Sequence, residues 1–300
     1  MMKGMLDNKI ILAIVFLVIS TSYISVANAN DSQRFNSFHK YALISSAAYY
    51  GATNVKKVLQ GSGYTLTKQG ELPGYHVGYF LLSNHKLKKH VLAIRGTSNV
   101  ENAMVDLALK LLPNKQTGIK LHQGFALTAD LIYSEIKNSL NKSYQINTTG
   151  HSLGGAAALI LAMYFDSSGY NVGKVVTFGQ PKVTNISGSK RYSHLNVTRL
   201  VMPRDMVPLV PPMDPMDIMN VDIYWHQGVE VVLLERNTYS QLEGINSMLR
   251  ATKFLNEVIS EKNIQEHYMS KYISSLKLKI TNPVRIPYSN NFSISNFLGG

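Results

Sequence analysis

The sequence contains no cysteine. A chain without thiols cannot form a disulfide, so an exported protein of this length has to be stabilised by its hydrophobic core alone. The same absence excludes thiolate metal sites, cysteine nucleophiles and lipid attachment at an N-terminal cysteine. Apolar residues make up 45% of the 300 residues, which is enough for one large core, and nothing in the composition indicates a disordered or fibrous protein.

The N-terminal apolar run is too short to cross a bilayer, which needs about 20 residues. It covers residues 10–19, follows the basic Lys3 and Lys9, and precedes the small-residue site Ala27-Asn28-Ala29. This order is typical of a cleaved signal peptide, and an uncleaved membrane anchor is the less favoured alternative. We therefore predict that residues 1–29 are a signal peptide cleaved after Ala29, and that the protein is exported, either secreted or periplasmic.

Acidic residues are few. The chain has 18 Asp and Glu against 30 Lys and Arg, and its net charge is +12; loss of residues 1–29 would leave +11. Such a charge attracts anionic surfaces, and for an exported protein a phospholipid membrane surface is favoured over nucleic acid as the partner. Because the basic residues are dispersed, a charge that merely keeps the protein soluble is an equal alternative. The oligomeric state is left open.

The spacing of apolar residues predicts an α/β protein. Helical spacing covers residues 31–50, 101–112, 125–140 and 153–165, with a longer helical region over 239–276. Strand patterns cover residues 76–83, 90–97, 144–149, 174–179, 197–202 and 228–235. The alternation of strand and helix after residue 144 implies a mainly parallel central sheet flanked by helices. We expect one domain over residues 30–300, with the tail 277–300 unassigned.

The segment TTGHSLGGAAAL places Ser152 between Gly150 and Gly154, where a strand pattern gives way to a helix former. A nucleophilic serine has to stand on a sharp turn between strand and helix, where side chains two residues away on either side would collide. The two glycines meet that demand. The backbone N–H of Leu153, at the start of the helix, would then face the oxygen of a substrate carbonyl as half of an oxyanion hole.

Further motifs in the same order make the sequence similar to the class 3 lipases, α/β-hydrolases that cleave acyl esters. The similarity covers roughly residues 90–275 and includes RGT (95–97), Asp106, HQGF (122–125), GHSLGG (150–155), TFGQPKV (177–183), DMVPLVPP (205–212) and WHQGVE (225–230). Two features depart from the family pattern. Gln180 stands where the family usually has a small residue, and the aromatic residue expected soon after Glu230 is missing. The resemblance implies an α/β-hydrolase fold.

A serine nucleophile needs an imidazole to take its proton and a carboxylate to orient that imidazole. In α/β-hydrolases the acid follows the serine and the histidine comes last. Asp205 follows an apolar strand pattern and precedes a Val-Pro turn, as expected of an acid at the carboxyl end of a strand. His226 lies beside a strand and suits a structural hydrogen bond, so we predict His267 as the base. The resemblance agrees, because the family's catalytic histidine precedes a tyrosine, as His267 precedes Tyr272.

The remaining assignments concern the surroundings of the serine. His151 is interpreted as packing within the motif, not as a base. The loop after an early strand should supply the second oxyanion donor, and by resemblance the donor is Thr97, preceded by Arg95 in a structural ion pair. By resemblance the apolar residues of 101–120 include a lid helix, although an ordinary packed helix fits equally well. The loop 202–219 is rich in methionine and proline, and it could line an acyl site or lie on the surface.

These residues predict an exported serine hydrolase that cleaves acyl esters of lipids, of the triacylglycerol lipase or phospholipase type, through an acyl-enzyme on Ser152. The apolar segment 101–120 and the cationic surface favour a glycerolipid over a small soluble ester. The alternatives are a small-ester esterase, a peptidase or an acyltransferase on the same fold, and an exported binding protein without catalysis. We expect neither a cofactor nor a metal, because the histidines lack the spacing of ligands.

Overall fold

The computed structural model describes residues 29–72, 74, 76–96, 110–211, 222–252 and 260–288. Its strands are β1 (Thr65–Leu72), β2 (Val77–Asn84), β3 (Lys89–Ile94), β4 (Leu111–Asn114), β5 (Ile119–His122), β6 (Gln145–His151), β7 (Val172–Phe178), β8 (Thr184–Asn185), β9 (Asn196–Val201), β10 (Tyr224–Trp225), β11 (Val229–Leu233), β12 (Thr238–Leu242) and β13 (Val284–Arg285). Its α-helices are α1 (29–47), α2 (Ala52–Leu59), α3 (Gln123–Ile136), α4 (Leu153–Ser167), α5 (Ile186–Arg191), α6 (Gly244–Thr252), α7 (Glu261–His267) and α8 (Met269–Lys277). Two 3₁₀ turns, Lys137–Ser139 and Val207–Leu209, complete the described elements.

The main sheet has nine strands in the order β1-β2-β3-β6-β7-β9-β11-β12-β13. Its centre is parallel, because β3, β6, β7, β9 and β11 all pair in the same direction, while β1, β2 and β12 pair antiparallel with their inner neighbours. A second, four-stranded sheet has the order β10-β8-β5-β4 and is antiparallel. The mainly parallel central sheet expected from the sequence is confirmed.

Both faces of the main sheet are covered. Successive side chains of a strand point to opposite faces, and here they enter different apolar clusters. Leu81 of β2 packs with residues of α3 and α4, whereas its neighbour Phe80 packs with residues of α1 and α2. Val175 and Val176 of β7 divide in the same way between the α4 cluster and a cluster with α1 and α8. This two-sided burial explains why every residue of β2 is buried.

Helix α4 lies at the centre of the larger cluster and is buried on every side from Gly154 to Phe165. A helix that is apolar all round belongs in the middle of a core. After Leu153 the helix continues with Gly154, Gly155 and three alanines, which leave little side-chain volume between the helix and the sheet. Among the helices of the described ranges, none is both long and apolar enough to cross a membrane.

Most of the predicted elements are present with ends shifted by at most four residues, but two assignments are contradicted in part. The first is the C-terminal end of the helix predicted over 101–112. Residues 101–109 lie outside the described part of the chain, and Leu111 and Leu112 belong to strand β4, paired with β5. Pro113 lies inside that strand, which it can do because β4 is at the edge of the small sheet, where a missing N–H costs little.

The second of these assignments is the continuous helical region 239–276. Residues Thr238–Leu242 form β12, which pairs antiparallel with β11 through a tight turn in which Arg236 has a positive φ of 54°. The described residues beyond it form three separate helices, α6, α7 and α8. In the tail 277–300, residues Val284–Arg285 add a short parallel strand to the edge of the main sheet. Helix α2 and strand β1 were not predicted.

Candidate active site

Ser152 occupies the turn between β6 and α4. Its φ of 59° and ψ of −132° place it outside the regions that non-glycine residues normally adopt. The turn is fixed by main-chain bonds, because Ser152 N donates to Phe178 O at 2.9 Å and Ser152 O accepts from Gly155 N at 2.9 Å. The hydroxyl makes no capping bond to the helix that it precedes. A strained backbone that holds a side chain clear of its own helix is typical of a functional position.

Glycines surround this turn because there is no room for a side chain. A Cβ on Gly154 would lie 2.7 Å from the carbonyl carbon of Arg95, and a Cβ on Gly150 would collide with the backbone of Gly154. Gly96, the residue after Arg95, is equally tight, since its Cβ would lie 2.9 Å from the Cβ of Ser152. The two residues directly after β3 therefore lie against the serine turn, as the predicted oxyanion loop requires.

Asp205 and His267 are brought together from positions 62 residues apart in the chain. Asp205 lies in the turn after β9, and His267 is the last residue of α7; both are buried. His267 Nδ1 donates to Asp205 Oδ2 at 2.8 Å. His267 Nε2 is buried and has no hydrogen-bond partner among the described residues. With the proton on Nδ1, the imidazole presents Nε2 as a free acceptor.

The carboxylate of Asp205 accepts three bonds in all. Besides His267, the hydroxyl of Tyr272 donates to Oδ2, and Val207 N donates to Oδ1 at 2.9 Å. Burial by itself raises the pKa of Asp205, but the interaction with His267 and these hydrogen bonds outweigh it and lower the pKa below its ordinary value. Asp205 is therefore ionised at neutral pH, as the orienting acid of an imidazole must be.

Gly179 lies over this pair. It has a positive φ of 57°, and a Cβ there would approach both Asp205 Oδ2 and His267 Cε1 to 2.8 Å. Only glycine meets both the conformation and the space. The glycine of the TFGQPKV motif is therefore required by its packing against Asp205 and His267. The sequence alone did not predict this contact.

His151 connects the serine to the proposed base. Its Nε2 lies 2.7 Å from the carbonyl oxygen of His267, which can only accept, so Nε2 donates and Nδ1 accepts from the hydroxyl of Tyr49 at 2.7 Å. Burial, followed by the proximity of His267, lowers the pKa of His151 to about 3. His151 is therefore neutral with both nitrogens engaged. It has no free nitrogen to offer Ser152, in line with the interpretation of it as a packing residue.

Residues 91–214 match the family model for the lipases of class 3. This match supports the resemblance of the chain to the class 3 lipase family. A lipase of Rhizopus niveus is 26% identical over an alignment of 266 positions that covers 80% of this chain and 64% of that lipase. A lipase of Rhizomucor miehei is 31% identical over 142 residues, covering 40% of this chain and 37% of the relative.

The first of these comparisons reaches only 64% of the relative's own length. A solved structure, a mutant form of MDLA from Penicillium cyclopium, superposes with a TM-score of 0.66 at 21% identity, covering 79% of this chain and 96% of the other. At that identity the likeness is one of fold. The structural neighbours confirm the α/β-hydrolase fold expected from the sequence.

His226 is held in a structural contact. Its Nε2 donates to the carbonyl of Pro208, in the 3₁₀ turn that follows Asp205. Burial, with the nearby cations Arg199 and Lys182, lowers its pKa well below the ordinary value. His226 therefore supports the turn after Asp205 as a neutral side chain. Glu230, which belongs to the same WHQGVE motif, forms a buried ion pair with Arg199.

Of the two predicted oxyanion donors, only Leu153 lies within the described residues. Leu153 is the first residue of α4, so its N–H has no acceptor within the helix and is available beside Ser152. Thr97 lies outside the described residues, as do residues 101–109 of the proposed lid and 212–219 of the methionine-rich loop. Arg95 pairs with Glu71 at 2.9 Å and also donates to His76 O, in accordance with a structural role.

Gln180 is accommodated by local packing. Thr177 Oγ1 donates to its side-chain carbonyl at 2.8 Å, and its amide donates to Pro181 O at 3.2 Å. Its Cβ lies against Gly155, where any side chain would be tight. The departure from the family pattern is thus matched by a glycine on α4.

Among the described residues, no group of three or more potential metal ligands is found.

Proposed function

We propose that this chain is a lipase of class 3, an exported serine hydrolase that cleaves the carboxylic esters of lipids through an acyl-enzyme on Ser152. The observation that carries the proposal is the buried Asp205–His267 pair with an unoccupied Nε2. The pair is tied to the serine turn, because the carbonyl of His267 accepts from His151, the residue before Ser152.

In the proposed reaction Ser152 Oγ attacks the acyl carbonyl carbon while His267 Nε2 takes the hydroxyl proton. The ionised Asp205 holds the imidazole by Nδ1 and stabilises its positive charge. When the tetrahedral intermediate collapses, the ester C–O bond breaks and His267 returns the proton to the departing alcohol. Water then attacks the acyl-enzyme by the same route, releasing the carboxylic acid and restoring the serine.

The charge of the tetrahedral intermediate would be met by two donors. The N–H of Leu153 points from the first turn of α4, whose N-terminus also favours a negative charge. We assign the second donor to Thr97, which follows Gly96, the glycine packed against Ser152. Removal of one such donor typically costs about 10²–10³ in kcat.

Lipid esters are the proposed substrates because the relatives compared above bear the name lipase, and the cationic chain would be attracted to an anionic lipid surface.

Export is proposed from the segment 1–29. Cleavage after Ala29 would leave α1 almost whole, since that helix begins at residue 29. The N-terminus of the mature protein would still be held in place, because Asp31 accepts a hydrogen bond from the hydroxyl of Tyr239. The ring of Phe35 also packs on that of Tyr239, with 4.7 Å between the ring centroids. We propose residues 30–300 as one hydrolase domain.

The test is hydrolysis of p-nitrophenyl esters of increasing acyl length, and of an emulsified diacylglycerol, by purified residues 30–300. We expect turnover that rises with acyl length and is higher on the emulsion than on the short soluble esters. Ser152→Ala, prepared in parallel, should lower kcat by about 10⁴-fold or more, because the nucleophile is lost.

Three of the four alternatives have their own outcome in this experiment. Turnover limited to short soluble esters would replace the lipase by a small-ester esterase, and transfer only in the presence of an added alcohol would indicate an acyltransferase. A folded wild-type chain that cleaves no ester, soluble or emulsified, would contradict the proposal and favour a binding protein.

A further inference from the structure

Asn263 is the second buried polar residue of α7, and it stands four residues before His267. Side chains four residues apart lie on the same face of a helix. Asn263 Nδ2 donates to the carbonyl of Arg204 at 2.9 Å, while His267 Nδ1 donates to the carboxylate of Asp205. Two neighbouring positions on one helix face thus bind two consecutive residues of the turn that carries the acid.

The other end of the same amide caps the helix. Asn263 Oδ1 accepts from Ser260 N at 2.9 Å and from the Ser260 hydroxyl, forming a capping box at the start of α7. Such boxes are usually completed by Glu or Gln. A carboxylate at this position could accept from Ser260 but could not donate to Arg204. An amide satisfies both requirements at once.

Within the described part of the chain, helix α7 has few buried side chains that fix its position. It contains only seven residues, and Asn263 and His267 are the two that are buried. A helix of this length is not stable by itself in water. Its position therefore depends on polar bonds from these two side chains, on the bond from His151 to the carbonyl of His267, and on its connection to α8.

We propose that Asn263 is a positioning residue that sets the distance between α7 and the turn of Asp205, and so the alignment of the His267 imidazole. The inference rests on the proposed function of His267 as base. It assigns to Asn263 a task separate from capping, and the donor bond to Arg204 carries that task. Misplacement of a reacting group by about 1 Å can cost about 10²-fold in rate.

Two variants separate the roles. Asn263→Asp keeps an acceptor for Ser260 and loses the donor to Arg204, whereas Ser260→Ala removes the serine side of the capping box and keeps that donor. We expect Asn263→Asp to lower kcat on a soluble ester by about 10- to 100-fold with KM within about twofold. Ser260→Ala should retain kcat within about threefold, with a Tm as low as or lower than that of Asn263→Asp, since a lost cap typically costs about 1 kcal/mol.

A second readout does not depend on ester turnover. The proton on His267 Nδ1, shared with Asp205, should give a far-downfield proton resonance in the wild type, identified by its loss in His267→Ala. We expect this resonance to be lost or broadened in Asn263→Asp and kept in Ser260→Ala. Equal effects of the two variants on the resonance, or an unchanged resonance and kcat in Asn263→Asp, would overturn the inference even while Ser152→Ala is inactive. A wild type that cleaves no ester but shows the expected resonance pattern would refute the proposed function alone.

Discussion

Replacement of His267 by alanine is expected to lower kcat by about 10⁴- to 10⁶-fold on any ester that the wild type cleaves. The reason is that Nε2 of His267 is the unoccupied basic nitrogen beside the serine turn, with its ring already oriented by Asp205. His151 cannot take over, because both of its nitrogens are engaged. Initial rates with a soluble p-nitrophenyl ester, on protein shown by circular dichroism to be folded, measure the effect.

His226→Gln is the matched control. A glutamine amide reaches about as far as imidazole Nε2 and can still donate to the carbonyl of Pro208, so the turn after Asp205 should keep its shape. We expect kcat within about tenfold of the wild type, with any loss accompanied by a lower Tm, because removing one partner of a buried hydrogen bond costs about 1–3 kcal/mol. A folded His226→Gln without activity, next to an active His267→Ala, would mean that His226 is the base.

Gly154→Ala is expected to destabilise the protein by at least about 3 kcal/mol, and to leave little folded enzyme. A methyl group there would collide with the backbone of Ile94 and Arg95. Backbone atoms cannot move aside as the end of a flexible side chain can. Moving α4 away from β3 would also displace Ser152 and the N–H of Leu153. Urea unfolding and the yield of soluble protein measure the effect.

Gly78→Ala provides the comparison. Gly78 is buried like Gly154 but lies in strand β2, and an added Cβ there would meet its nearest neighbours at 3.6 Å, which is ordinary contact. We expect a change in unfolding free energy within about 1 kcal/mol, in either direction. Similar stability for both variants would show that the strand and helix are not as tightly packed around the serine as the structure indicates.

The serine turn could be predicted from the sequence because its causes are local. Gly150 and Gly154 lie two residues from Ser152, and the change from strand to helix pattern occurs within the same dozen residues. The position of Asp205 after a strand could also be predicted, and β9 ends at Val201, four residues before it. The choice of His267 over His226 came from chain order and family resemblance, and the contact with Asp205 fits that choice.

The contacts that hold these residues could not be predicted, because they join distant parts of the chain. Tyr49 meets His151 across 102 positions, and Asn263 meets Arg204 across 59. Neither Tyr49 nor Asn263 belongs to any of the motifs named above. Strand β12 was missed because its short pattern follows β11 closely and leads into helical residues, and its strand form depends on pairing with β11. The role of Thr97 stays a prediction.

The most direct measurement is the site of acylation. The wild-type chain is mixed with excess p-nitrophenyl ester, quenched in acid within the first turnovers, digested, and analysed by mass spectrometry. The account predicts an acyl group on Ser152, in the peptide that contains GHSLGG, appearing together with a burst of p-nitrophenol and absent from Ser152→Ala. Turnover without an adduct on Ser152 under conditions that give a burst, or an acyl group on another residue, would contradict it.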